Sequence, residues 1–402
     1  MVIKICDINK FLLFSFPIFF ALPDMAINMG PLNLRYDDII VYFLFFINIK
    51  NIGKLFSFLI NNIFYKIMLI LILYALVSIL VVILIQNTDL LRSYNLFKSI
   101  GSIPYFIVLP YLFSKKENRY MFYYGAFFAG IIYVLSIYSN YTTIMQQSLF
   151  QQGSSSSFKR HISFGTLNPN AVASFAAILG WINILGFFEH KKKIVLVMAF
   201  ILMFVPIFIF ARGMSFGLIA GFIFLVISSR LKIKNILILF FIMIIVFISI
   251  ISFVDTQLLT VATKIDISSG EGFHGRFLLW NQALELIGKS PIFGHGLSTE
   301  GALYVKYFSG ALSHDLYLHY MIELGFIGFS MFLIAVIYLL YNKYLLSKRK
   351  KEFLYRVQMA VLISFLVADI SGQLLYLNKY AFLIYVLVTF NLDKKEKYVQ
   401  KL

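Results

Sequence analysis

The sequence predicts an all-α, polytopic membrane protein with about twelve transmembrane helices and a large extracytoplasmic loop containing short helices, organised as one integral membrane domain over residues 1–402. Three observations carry this. Hydrophobic residues fill 60% of the positions and charged ones only 13%, with mean hydropathy +0.86, far from the composition of soluble domains. Apolar runs such as Ile67 to Ile85, Ile194 to Phe210 and Asn235 to Phe253 are long enough, at about 1.5 Å per residue, to cross a hydrocarbon core of roughly 30 Å. The ten-residue alternation of a membrane barrel is not seen, so helices are the spanning element.

The expected spans centre on residues 11–22, 38–49, 67–86, 96–113, 120–138, 170–188, 194–211, 213–229, 235–253, 317–341, 354–370 and 374–391. The first two are weak. Pro17, Pro23 and Asp24 lie in or beside one, and Asp37 and Asp38 open the other. Lys4 and Lys10 precede the first apolar run and no small-residue cleavage pattern follows it, so it reads as a retained first helix.

With the N-terminus on the cytoplasmic side, the inner segments collect Lys50, Lys54, Lys66, Lys115, Lys116, Arg119, Lys191 to Lys193, Arg230, Lys232, Lys234, Lys343, Lys348 to Lys351, Arg356 and the Lys-rich tail. This is about two-thirds of all Lys and Arg, in short loops where the positive-inside rule acts most strongly. Both termini are therefore expected in the cytoplasm. The net charge of +17 reflects this topology and attraction to anionic membrane lipids, and requires no nucleic acid.

Two outer connections are long, 139–169 and 254–316, and loops of that length in a compact protein are commonly functional or disordered. The first carries the low-complexity run Gln151 to Ser157, then Lys159-Arg160-His161. In the second, Phe277, Trp280, Leu284 and Ile287 fall at helical spacing between polar Asn281, Gln282 and Glu285, as in a helix lying on the membrane surface. The single cysteine, Cys6, excludes an intramolecular disulfide. No inverted repeat is visible, which weighs against a transporter built from matching halves.

Arg212 lies between two hydrophobic stretches without a hydrophilic loop. It calls either for an anionic partner or hydrated cavity, or for a guanidinium reaching the headgroups. Arg276 opens the predicted surface helix, and His314 ends the large loop with His319 five residues on. Either histidine is an ordinary surface residue or a proton acceptor at the membrane face. The five-residue step and the lack of a cysteine or dense carboxylate cluster speak against zinc.

Three segments in order, FIFARGMSFGLIA at 208–220, GRFLLWNQALELIGKSPIFGHG at 275–296 and SHDLYLHYMIELGFIGFSMFL at 313–333, resemble the signatures of the O-antigen ligase and O-antigen polymerase superfamily of bacterial membranes. Phe164-Gly165-Thr166-Leu167-Asn168-Pro169-Asn170 is similar to a segment that often opens the sixth span in that family. The resemblance implies that Arg212 and Arg276 face the diphosphate of an undecaprenyl-diphosphate-linked oligosaccharide, and that His314 is the catalytic base. Arg160, Asn170 and Asp315 are further candidates, Asp315 standing where the family commonly has asparagine. Gly294-His295-Gly296 reads as a tight turn. Tyr304, Tyr307, Phe308 and Tyr317 either stack on sugar rings or anchor at the interface.

The implied chemistry is metal-independent, cofactor-free, inverting glycosyl transfer at the outer face of the plasma membrane, with a chain-length regulator protein as a partner. Polymerase is the first reading and ligase the second. A lipid-linked oligosaccharide flippase is the alternative of another class.

Overall fold

A computed structural model describes residues 5–21, 26–29, 32–86, 100–148, 169–209, 211–229, 273–308, 313, 315–350, 352–372 and 374–390. Its helices are α1 (Ile5–Phe20), α2 (Tyr36–Ile47), α3 (Ile52–Asn61), α4 (Ile63–Gln86), α5 (Ile103–Ser114), α6 (Lys116–Ser148), α7 (Pro169–His190), α8 (Lys193–Phe208), α9 (Arg212–Ser229), α10 (Phe273–Lys289), α11 (Glu300–Tyr307), α12 (Leu316–Lys350), α13 (Phe353–Ala368) and α14 (Lys379–Thr389). The expected span 235–253 lies outside the described residues. Each other expected span overlaps a helix. Among the described residues four helices are long and apolar enough to cross a membrane, α4, α6, α7 and α12, or five if α2 and the segment Ile49–Asn61 that contains α3, bent by 56° at Asn48, form one span. Shorter apolar helices among the described residues are α5, α8, α9, α13 and α14.

Two features depart from the expected pattern. The chain is not wholly helical, because Ala26–Met29 and Leu32–Arg35 form a two-stranded antiparallel hairpin with Ala26 opposite Arg35 and Met29 opposite Leu32. Proline at 23 and 31 and glycine at 30 oppose helix in this stretch. Helix α6 runs to Ser148, ten residues into the segment expected as an outer loop.

Small residues let the helices approach closely, as is usual between membrane helices. Gly217 and Gly221 of α9 sit against Ser364 and Ala368 and against Ala360 and Ser364 of α13, so these helices run antiparallel. Gly125 of α6 lies on the backbone of Phe14 in α1.

The polar residues separate to the two ends of the bundle. At one end Arg119 donates to Glu189 Oε1 (2.8 Å) and the Phe113 carbonyl (2.7 Å). There Lys343 Nζ donates to Gln358 Oε1 (2.6 Å), Lys10 pairs with Glu117 (2.7 Å), and α12 finishes on Lys348, Arg349 and Lys350.

At the opposite end Arg35 holds Asp37 (2.8 Å) and the Phe20 carbonyl (3.1 Å), while Lys379 Nζ bridges Asp37 (3.0 Å) and Asp38 (2.8 Å). Tyr105 OH donates to both carboxylates, and Tyr380 OH accepts from Arg35. This network joins α2 to α5 and α14 at the end where the candidate site is found.

Candidate functional site

The site is organised by a break in α12. Gly325 has φ 62° and ψ −168° inside that helix, which releases neighbouring carbonyls and amides from the helical ladder. The turn after α10 takes them up. His295 N donates to the Ile322 carbonyl (2.8 Å) and Gly296 N to that of Glu323 (2.8 Å), while Phe326 N and Ile327 N donate to Pro291 (2.8 Å) and Ile292 (3.2 Å).

Gly294 and Gly296 have φ of 72° and 97°. A Cβ on Gly325 would come within 2.5 Å of the Gly294 amide nitrogen, so no side chain fits there. The tight turn expected at Gly294-His295-Gly296 is present, and the second and third sequence signatures prove to be one backbone unit. Tyr74 of α4 ties it to the bundle through the carbonyls of Phe293 (3.1 Å) and Leu324 (3.2 Å).

Beneath this unit is a buried polar cluster. Glu323 accepts from Ser298 N (2.7 Å), Glu300 N (3.0 Å) and the Tyr376 hydroxyl. His319, one helical turn before it, places Nε2 3.6 Å from Glu323 and bonds through Nδ1 to Glu300. Glu300 Oε1 accepts from both the amide (3.2 Å) and the hydroxyl (2.6 Å) of Ser313. Burial would push the Glu300 carboxyl up, but the His319 imidazole and the Ser313 donors outweigh it and hold the group down at about 2. Asp369, at the end of α13, is buried and accepts from the amides of Leu374 (2.9 Å) and Leu375 (2.7 Å).

Arg212 is the first residue of α9 and is exposed. The pairing of α9 with α13 puts Arg212 at the Ala368 end, where Tyr317 at the start of α12 also donates to Leu366 (2.8 Å). Asn170, exposed in the first turn of α7, belongs to the same end, because Phe175 of that helix packs on Phe20 and Tyr380 and lies under Arg35. Arg276 lies in the first turn of α10. His314 and Arg160 lie outside the described residues.

Several expectations change. Asp315 caps α12, its Oδ1 accepting from Tyr317 N and Leu318 N (both 2.9 Å). Asparagine offers the same carbonyl acceptor, so the departure from the family's common residue has a plain chemical reading. His319 is buried in the cluster rather than on the surface.

The predicted surface helix α10 is apolar on two sides. Ala283, Leu286 and Ile287 pack on Tyr304 and Ile322, while Phe277 and Leu284 are 54% and 57% exposed. Ile287 therefore faces inward rather than sharing a face with Phe277 and Leu284. Of the four aromatic candidates, Tyr304 is buried with its hydroxyl on the Leu279 carbonyl (2.9 Å), Phe308 and Tyr317 are half-buried, and Tyr307 is exposed, with Lys289 Nζ over its ring at 3.9 Å.

Glu300, Glu323, Tyr376, Asp369 and the Arg35–Lys379 network were not anticipated from the sequence. The Glu-Leu-Gly of the third signature is the one trace that points to Glu323 and the break after it.

These features define a helical membrane protein with a polar site at one end, assembled from three ordered sequence signatures. Residues 197–333, about a third of the chain, match the model of the O-antigen ligase family, in agreement with the superfamily resemblance of the three signatures. No curated protein matches the chain.

Proposed function

We propose that the chain is an O-antigen or capsular polysaccharide polymerase, a polyprenyl-diphosphate-dependent glycosyltransferase that joins undecaprenyl-diphosphate-linked oligosaccharide repeats. The observation that carries the reading is the family match over 197–333, the stretch that holds Arg212, Arg276, His314 and the buried carboxylate cluster. A hydroxyl of one repeat attacks the anomeric carbon of another from the face opposite the diphosphate. The new C–O bond forms as the bond to the lipid diphosphate breaks, which inverts the anomeric centre.

His314 takes the hydroxyl proton. Arg212 and Arg276 receive the negative charge on the leaving diphosphate through forked hydrogen bonds, with no metal required. The Lys- and Arg-rich end of the bundle faces the cytoplasm of a bacterial plasma membrane with both termini, and the site faces outward. Transfer of a finished chain to the lipid A core is the second reading, favoured by the ligase description of the family.

The test is purified protein in detergent with undecaprenyl-diphosphate-linked repeats. A ladder of longer lipid-linked products, insensitive to EDTA and lost in Arg212→Lys and Arg276→Lys, is expected, because lysine cannot make the two-pronged contact. His314→Ala should slow turnover about a hundredfold or more. Product that appears only with a lipid A core acceptor assigns the ligase. No product under any condition sinks the enzyme reading and favours a flippase.

A further inference from the structure

Glu300 is the first residue of α11, yet its side chain turns inward, and each oxygen has its own task. Oε1 receives both donors of Ser313, the backbone amide and the hydroxyl. Oε2 meets His319 Nδ1 on α12. The backbone of the same residue is held independently, since Glu300 N donates to Glu323 (3.0 Å), which also takes Ser298 N and the Tyr376 hydroxyl.

Two residues on, Asp315 is fixed as the cap of α12 through the amides of Tyr317 and Leu318. The chain is thus anchored at 313 by Glu300 and at 315 by the helix itself. A buried ion pair is weak evidence for stability, because an apolar replacement of similar volume is often neutral or better. Here a buried carboxylate is spent on the residue next to the reactive position, and a fixed geometry is what such a position needs.

We propose that Glu300 is a positioning residue: it clamps Ser313 to His319 of α12 and so sets the place of His314. The inference rests on the reading of His314 as the base of a glycosyl transfer. Glu323 and Tyr376 act one step further back, holding the backbone of Glu300 and the far side of His319. A carboxamide at 300 keeps an acceptor for Ser313 and loses the acceptor facing His319, whereas alanine removes both.

The experiment compares Glu300→Ala, Glu300→Gln and Ser313→Ala with wild type in detergent, using undecaprenyl-diphosphate-linked repeats as donor and correcting for folded protein. Amide hydrogen exchange over 313–318 is measured in parallel. Expected is a fall in kcat of about a hundredfold for Glu300→Ala and about tenfold for Ser313→Ala, with the donor KM within about threefold, since a displacement of about 1 Å costs on this scale.

Glu300→Gln should stay within about tenfold of wild type. Exchange over 313–318 should speed up in Glu300→Ala, with the other helices unchanged. An unchanged kcat per folded molecule in Glu300→Ala and Ser313→Ala overturns the proposal, as does a loss carried wholly by KM. If Glu300→Ala does not fold, Ser313→Ala and Glu300→Gln decide alone. Wild-type protein without transferase activity refutes the glycosyl-transfer reading instead, and the exchange measurement then decides whether the clamp exists.

Discussion

Two buried polar clusters lie at the same end of the bundle and are built on different principles. The Arg35–Asp37–Asp38–Lys379 network sets two permanent cations against two carboxylates and closes on Tyr105, Tyr380 and the Phe20 carbonyl. The Glu300–His319–Glu323 cluster sets two carboxylates around one imidazole and is completed by backbone amides and hydroxyls of Ser298, Ser313 and Tyr376. The first lies outside the family match. Glu300, His319 and Glu323 lie inside it. A balanced set of permanent charges behaves as a clasp between helices, whereas a cluster whose cation, among the described residues, is a histidine depends on where a proton sits.

The contrast breaks most visibly in stability. Lys379→Met leaves the buried Asp37 and the half-buried Asp38 with Arg35 as their remaining described cation, and removing one partner from a buried ion pair costs about 3–5 kcal/mol. Thermal unfolding in detergent should show a large drop and the cell should accumulate less protein. An unchanged melting temperature would mean that the clasp carries no net energy.

The site unit is sensitive to its backbone. Gly325→Ala places a Cβ against the Ile292 carbonyl and Gly294 amide at a residue with φ 62°, and strain at such a position costs about 1–3 kcal/mol. The same change at Gly53, where a Cβ meets nothing within 4 Å, is the control. Comparable melts for the two variants would show that the break in α12 is not enforced at that residue.

The sequence made the helices legible because length and apolarity alone define them, and Arg212 was legible because an arginine between two apolar runs demands an explanation. The Gly294-His295-Gly296 turn could be read from its glycines. Pairing of that turn with the break at Gly325 could not, since two segments about thirty residues apart exchange only backbone hydrogen bonds, which leave no residue-type signal. The Arg35 clasp escaped for the opposite reason. Asp37 and Asp38 read as a weak start to a span, and their partner Lys379 is over three hundred residues away, so the charge balance exists only in three dimensions.

The finest distinction is between two carboxylates with opposite pH dependence. Glu300 is held below its ordinary value of 4.5, at about 2, so it contributes stability above pH about 4.5 that is lost as the pH falls toward 2. Asp315 is shifted the other way. Burial raises it against the lowering pull of the Leu318 and Tyr317 amides, so its contribution is present at low pH and is lost as the pH rises through its folded value. Asp315→Asn keeps the capping carbonyl and removes the titration. The variant should therefore lie within about 0.5 kcal/mol of wild type at neutral pH, whereas Asp315→Ala should lose about 1 kcal/mol with the cap. Melting curves between pH 4 and 7 should show wild type losing ground relative to Asp315→Asn as the pH rises. The reverse slope would mean that the carboxylate is favoured at the helix N-terminus more strongly than burial opposes it, and that the aspartate at 315 is there for its charge.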